Sequence, residues 1–176
     1  YLSIDSVNRE SLLIVFLFCS ALPVFLFYNL CLGISSKKKI FMGDAGSMFI
    51  GLSIVWVLID LSQGSFRSFS PVTALWLFAI PLIDLVASFL RRLLSGNSPF
   101  KPDLFHIHHL LIRFGIREKY ALILILFASL LMSIIGILGE IYAAPERSMF
   151  IGFLVTFGIY IISYIISLKI INNKKN

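Results

Sequence analysis

The sequence predicts an all-α polytopic membrane protein of five transmembrane helices. Three observations predict it. First, 59% of the residues are hydrophobic, including 17 Phe, and the mean hydropathy is +0.95. That composition excludes a water-soluble domain. Second, a helix needs roughly 20 largely apolar residues to cross a bilayer, and five such stretches recur along the chain. Third, Lys and Arg are unevenly spread over the connections between those stretches.

The spans are expected over about 11–32, 46–61, 71–90, 120–139 and 148–168. The first is too long for a signal peptide, and no small-residue cleavage site follows it. The second is short, so it must stand nearly upright or begin at the interface. In the third, Pro81 is expected to kink the helix. Cys19 and Cys31 lie in apolar surroundings and are expected to be buried thiols, with no disulfide or metal role.

Charge orients the bundle. Twelve of the 15 Lys and Arg fall in 33–45, in 91–119 and in the tail after Leu168. The remaining three, Arg9, Arg67 and Arg147, fall in the other connecting segments. The positive-inside rule places the three basic segments in the cytoplasm, with the first residues external and the C-terminus cytoplasmic. The net charge of +6 is therefore topological. It implies membrane lipids as neighbours and no nucleic acid partner.

The segments 61–70 (LSQGSFRSFS) and 140–147 (EIYAAPER) read as short external turns. The cytoplasmic loop 91–119 is the one connection large enough for structure of its own. Its Ser98-Pro99-Phe100-Lys101-Pro102-Asp103 run is held extended by two prolines. The following LFHIHHLLIRFG fits a short amphipathic helix at the interface. The whole chain reads as a single membrane domain.

Within the loop 33–45, Asp44 stands between Gly43 and Gly46, after Lys37, Lys38 and Lys39 and just before an apolar helix. One reading is a carboxylate that only complements the helix dipole. The other is metal and phosphate chemistry. A carboxylate holds a hard divalent cation, glycines open the backbone to a ligand, and a helix start offers N–H groups to phosphate oxygens. Ser47 can cap the helix and leave Asp44 free.

The three histidines of the chain, His106, His108 and His109, fall within four positions, which points to one shared task. On a helix His106 and His109 share a face and His108 points elsewhere, unless the backbone there is extended. With Asp103 they can be read as a zinc set, although the usual flanking Cys/His pair is lacking. They can also be read as hydrogen-bond donors to a phosphate, since imidazole takes on charge near an anion. Asp84, three residues after Pro81, is an ionisable group at membrane depth and so a functional candidate. Two turns from Arg91, it can also simply reach the interface. Asp60 and Glu140 receive no role.

Three segments, FMGDAGS, PVTALW…IPLID and SPFKPDLFHIHHLL, closely resemble the polyprenyl-phosphate N-acetylhexosamine-1-phosphate transferases, the MraY/WecA-like glycosyltransferase family 4. The resemblance runs in order over roughly 37–115. The HIHH form is nearest the WecA-type branch that uses UDP-N-acetylglucosamine. It implies a bacterial inner-membrane enzyme with a cytoplasmic active-site face and Mg²⁺, or alternatively Mn²⁺, as cofactor. The implied reaction transfers N-acetylglucosamine 1-phosphate from UDP-N-acetylglucosamine to undecaprenyl phosphate and releases UMP. Such a step starts lipid-linked cell-surface polysaccharides such as O-antigen.

Residue by residue, the resemblance implies that Asp44 coordinates Mg²⁺ on the diphosphate and that Phe41 stacks on the uracil ring. Gly43, Gly46, Ser47 and Asp103 are expected to contact substrate. His106, His108 and His109 are expected to face the substrate phosphates, with Asp44, as the catalytic set. Asp84 matches the aspartate of the PLID-like stretch, its role left open. The family's Asp-Asp pair and DGxDG segment do not occur in these 176 residues. The expectation is therefore a C-terminal portion of a longer enzyme, inactive without its N-terminal half. The competing class is a transporter or scaffold subunit without nucleotide-sugar chemistry, for which ionisable groups belong near mid-bilayer.

Overall fold

The computed structural model describes residues 9–30, 40–63, 67–94, 96, 98 and 106–173. Every regular element among them is an α-helix: α1 Arg9–Leu30, α2 Gly43–Ser62, α3 Pro71–Leu77, α4 Ala79–Leu94, α5 Ile107–Arg113, α6 Glu118–Ile141 and α7 Glu146–Asn173. Four helices are long and apolar enough to cross a membrane, and the bent pair α3–α4 makes a fifth candidate. The chain is a multi-pass membrane protein, in keeping with the expected class. The helices divide into two compact units, Tyr1–Ala74 and Leu75–Asn176.

In the first unit α1 packs on α2. Ser11, buried near the start of α1, donates to the Asp60 carboxylate near the end of α2. Phe18 meets Phe49 edge to face, with ring centroids 6.5 Å apart. The two contacts pair the start of one helix with the end of the other, so α1 and α2 run antiparallel. A hydroxyl–carboxylate bond between spans supplies what lipid cannot. It gives Asp60 a structural role that the sequence did not disclose. Most large side chains of both helices, among them Phe16, Phe27, Phe49 and Trp56, are exposed. An exposed apolar surface of this kind suits acyl chains or further helices.

Three expectations need correction here. The second span is not short: α2 has 20 residues and begins at Gly43, so at 1.5 Å per residue it covers about 30 Å. Cys19 is exposed on α1, because neighbouring apolar residues such as Phe16 and Leu17 are themselves exposed and do not enclose it. Cys31 lies outside the described residues. The third difference concerns the third span, which is broken into α3 and α4 by an 81° bend and is more than kinked.

The break has a local cause. Pro81 has no N–H to give to the carbonyl four residues back, that of Leu77. The helix ends at Leu77 and restarts at Ala79. Ser133 Oγ of α6 lies 3.4 Å from the Leu77 carbonyl, while its one hydroxyl hydrogen has a closer acceptor in the Ser129 carbonyl at 2.9 Å. The start of α3 is capped by Ser70, whose Oγ accepts the Thr73 N–H at 3.3 Å, with Pro71 in the first helical position.

In the second unit α4 packs on α6 and α7, and α5 packs on α6. Ala79, Ile83 and Ala87 recur every fourth residue on the buried face of α4. Small residues there let neighbouring helices approach closely. Trp76 is buried edge to face on Phe153, at 5.8 Å between centroids, and its indole N–H donates to the Met149 carbonyl at 3.1 Å. Among the spans α4 is the amphipathic one, with Asp84 and Ser88 along its length and Arg91 and Arg92 in its last turn.

Candidate functional site

The candidate residues fall in both units. In the first unit Phe41, Gly43, Asp44, Gly46 and Ser47 form the start of α2. Gly43 has φ +73°, a left-handed conformation that turns the chain into the helix and that a side chain disfavours. Gly46 makes room for Met42, whose Cγ would lie 2.8 Å from a Cβ at that position. Asp44 lies inside the first turn of α2 and is exposed, where the dipole favours a carboxylate. Ser47 does not cap the helix, because α2 begins four residues earlier. Its hydroxyl donates back to the Asp44 carbonyl at 2.9 Å. Phe41 projects just before the helix and is 90% exposed. Lys37, Lys38 and Lys39 lie outside the described residues.

In the second unit the structure brings together Asp84, His106, His108 and His109. Asp103 lies outside the described residues. His106 immediately precedes α5 in an extended conformation, so it does not follow the helical spacing. The pairing of His106 with His109 holds only on a helix, and at His106 the extended case applies. His106 and His108 instead lie nearly parallel, with centroids 6.1 Å apart and planes 6° apart. His109 lies 4.0 Å from His108. The three rings form one cluster at the start of α5. Among the described residues no three His, Cys, Asp or Glu side chains are grouped to hold a metal ion.

Asp84 ties the cluster to the bundle. Its Oδ2 lies 2.9 Å from His106 Nδ1. Its Oδ1 accepts the Ile107 N–H at 3.0 Å and the Tyr160 hydroxyl at 2.7 Å. One carboxylate on α4 thus joins α7, the first backbone N–H of α5 and a histidine ring. The sequence marked Asp84 as a candidate by its depth and by the PLID-like stretch, with no role assigned. Tyr160 was missed, because one tyrosine in an apolar span gives no periodic signal. The available clue is that a buried phenol seeks a hydrogen-bond partner.

Electrostatics separates the rings. His108 is held below the ordinary histidine value of 6.5, first by partial burial, then by the His109 and His106 rings, with Asp84 acting in the opposite direction. Between that lowered value and the ordinary one, His108 stays neutral where a free imidazole charges. We predict that His109→Gln raises the His108 titration midpoint toward 6.5 without reaching it, since burial remains. Imidazole Cε1–H signals followed by NMR across the pH range measure this, and an unchanged or lower midpoint contradicts it.

Residues 1–62 match the family model described as glycosyl transferase family 4. The chain is 48% identical over 147 residues to an undecaprenyl-phosphate alpha-N-acetylglucosaminyl 1-phosphate transferase of Haemophilus influenzae, covering 84% of this chain and 41% of that protein. It is 48% identical over 144 residues to the protein of the same name from Pasteurella multocida, covering 82% and 40%. With the protein of that name from Escherichia coli K12 it shares 43% identity over 155 residues, covering 87% and 42%. The chain spans about two-fifths of the length of these curated relatives. No solved structure matches it.

Proposed function

We propose that this chain, which belongs to glycosyl transferase family 4, serves the transfer of N-acetylglucosamine 1-phosphate from UDP-N-acetylglucosamine to undecaprenyl phosphate, with release of UMP. The histidine cluster carries the reading. Three imidazoles gathered at a helix start suit a phosphate-bearing substrate, because each can donate a hydrogen bond and take on charge beside an anion. They lie in a chain 43–48% identical to proteins named for this transfer.

In this reading His106, His108 and His109 face substrate phosphates. Phe41 offers an exposed aromatic face for the uracil ring, and Gly43, Gly46, Ser47 and Asp103 line the nucleotide-sugar. Asp44 is the metal carboxylate. Mg²⁺ keeps several waters and takes one or two carboxylates plus substrate phosphates. One exposed carboxylate at a helix start fits that demand, and Mn²⁺ fits it too. When bound, the ion would be held by Asp44 and would supply charge neutralisation to the substrate phosphates. An apolar groove between α1 and α2, lined by Phe18, Leu22, Pro23, Phe25, Met42 and Ser47, supports an isoprenoid acceptor.

The test is a chimera in which this chain replaces the aligned stretch of the Haemophilus influenzae transferase. Supplied with UDP-N-acetylglucosamine, undecaprenyl phosphate and Mg²⁺, it should release UMP. No release above a no-acceptor control sinks the reading.

The proposed setting is the bacterial inner membrane, with the loops 33–45 and 91–119 and the C-terminus cytoplasmic. The basic residues in those segments support it. Single cysteines probed with an impermeant thiol reagent on intact cells should react at Ser65→Cys and Ala144→Cys. Ser36→Cys and Ser98→Cys should be protected. The reverse pattern overturns the orientation.

A further inference from the structure

Asp84 is the sole acidic residue of α4. Its side chain is 14% exposed and that of His106 is 35% exposed. The two oxygens of Asp84 are used differently. Oδ1 faces two donors, the Ile107 N–H at 3.0 Å and the Tyr160 hydroxyl at 2.7 Å. Oδ2 faces His106 Nδ1 at 2.9 Å, with Ser88 Oγ farther from the same nitrogen at 3.4 Å. An ionised carboxylate can only accept. With Asp84 in that form, the hydrogen between Oδ2 and the ring sits on Nδ1. A neutral imidazole carries one N–H, so its Nε2 then holds a bare lone pair on the edge away from Asp84.

We infer that Tyr160, Asp84 and the Ile107 amide form a positioning device that holds His106 as the Nδ1–H tautomer, with Nε2 its proton-accepting atom. Asp84 and Tyr160 act through His106, so they are positioning residues. A carboxylate that fixes the tautomer of a working histidine also stabilises the imidazolium that forms when the ring takes a proton. Resting on the transfer proposed above, the device assigns His106 a definite partner, a singly protonated phosphate monoester. The second ionisation of such a group has a pKa of about 6, so a protonated fraction exists near neutrality. The proton leaves the P–OH oxygen and bonds to Nε2. The phosphate becomes a dianion, the ring becomes an imidazolium paired with Asp84 Oδ2, and no bond to phosphorus changes in that step.

The inference is tested on the 176-residue chain, labelled with ¹⁵N-histidine and held in lipid nanodiscs above the ordinary imidazole titration range. His106 is assigned by the signals lost in His106→Gln. The wild type should show a protonated Nδ1 and an unprotonated Nε2. Asp84→Asn should exchange the two states. Its amide oxygen keeps the Tyr160 and Ile107 donors, so its NH₂ faces Nδ1 and leaves the hydrogen on Nε2. Tyr160→Phe should retain the tautomer and let the Nδ1 hydrogen exchange faster with water.

A wild-type spectrum with Nε2 protonated overturns the inference, and this holds even if Asp84→Asn fails to fold. So does an Asp84→Asn spectrum equal to the wild type. Unaltered exchange in Tyr160→Phe removes Tyr160 from the device. The UMP-release assay on the chimera separates the two claims. The expected tautomers without UMP release refute the transfer and leave the device standing. UMP release with the opposite wild-type tautomer refutes the device alone.

Discussion

Asp44→Asn should lower UMP release by the chimera on the order of 10²- to 10³-fold, the range seen when one preorganised charge-stabilising group is lost. The substitution keeps the size of the side chain and its place in the first turn of α2. It removes the negative charge that a hard cation needs. Folding should survive, because Asp44 is exposed and the Ser47 hydroxyl bonds the Asp44 backbone carbonyl, which asparagine retains. Circular dichroism should give the helicity of the parent. The loss should shrink as Mg²⁺ is raised, if weakened metal binding is its cause. Near-parental release at low Mg²⁺ excludes Asp44 as a metal ligand. An equal loss at every Mg²⁺ concentration assigns Asp44 a different task.

The architecture was legible because the bilayer imposes it. A spanning segment must satisfy its own backbone and present apolar side chains, and both demands leave a long hydrophobic signature. α1, α2, α6 and α7 appear within a few residues of their expected spans over the residues described. The third span shows where that signature stops being informative. Hydropathy is blind to the Leu77 carbonyl that Pro81 leaves without a helical donor. A kink was foreseeable, whereas an 81° bend depends on how α4 packs on α6 and α7.

At the site, residue types were legible and their connections were not. Asp44 between two glycines and three clustered histidines are local signals. The bonds from Asp84 to His106 and Tyr160 join positions 22 and 76 residues apart. Only the folding of α4 against α7 and α5 creates them. Helical spacing could not settle the ring pairs, because His106 is extended and α5 begins one residue later. Neither Ser11 nor Asp60 had a readable partner for the same reason: their bond crosses 49 residues.

Asp84→Ala should release the start of α5 from the bundle. The Ile107 N–H and the Tyr160 hydroxyl both lose their acceptor on Oδ1, and His106 loses its partner on Oδ2. A donor left without a partner costs about 1–3 kcal/mol. His106 makes no side-chain capping bond, and α5 has only 7 residues. Among the described residues α5 also packs on α6, with Leu110 buried. Hydrogen exchange at the Ile107 amide should therefore quicken by about 5- to 150-fold, the rate equivalent of that range. Amides in the middle of α6 should keep their protection, since their bonds lie within that helix. UMP release by the chimera should fall by about 10- to 100-fold, the usual cost of losing a partner that orients a functional histidine. The exchange result decides the structural part by itself. If Ile107 exchanges as in the parent, the carboxylate does not anchor α5. If Ile107 is freed while UMP release is unchanged, the anchoring stands and the histidine cluster has no part in the transfer.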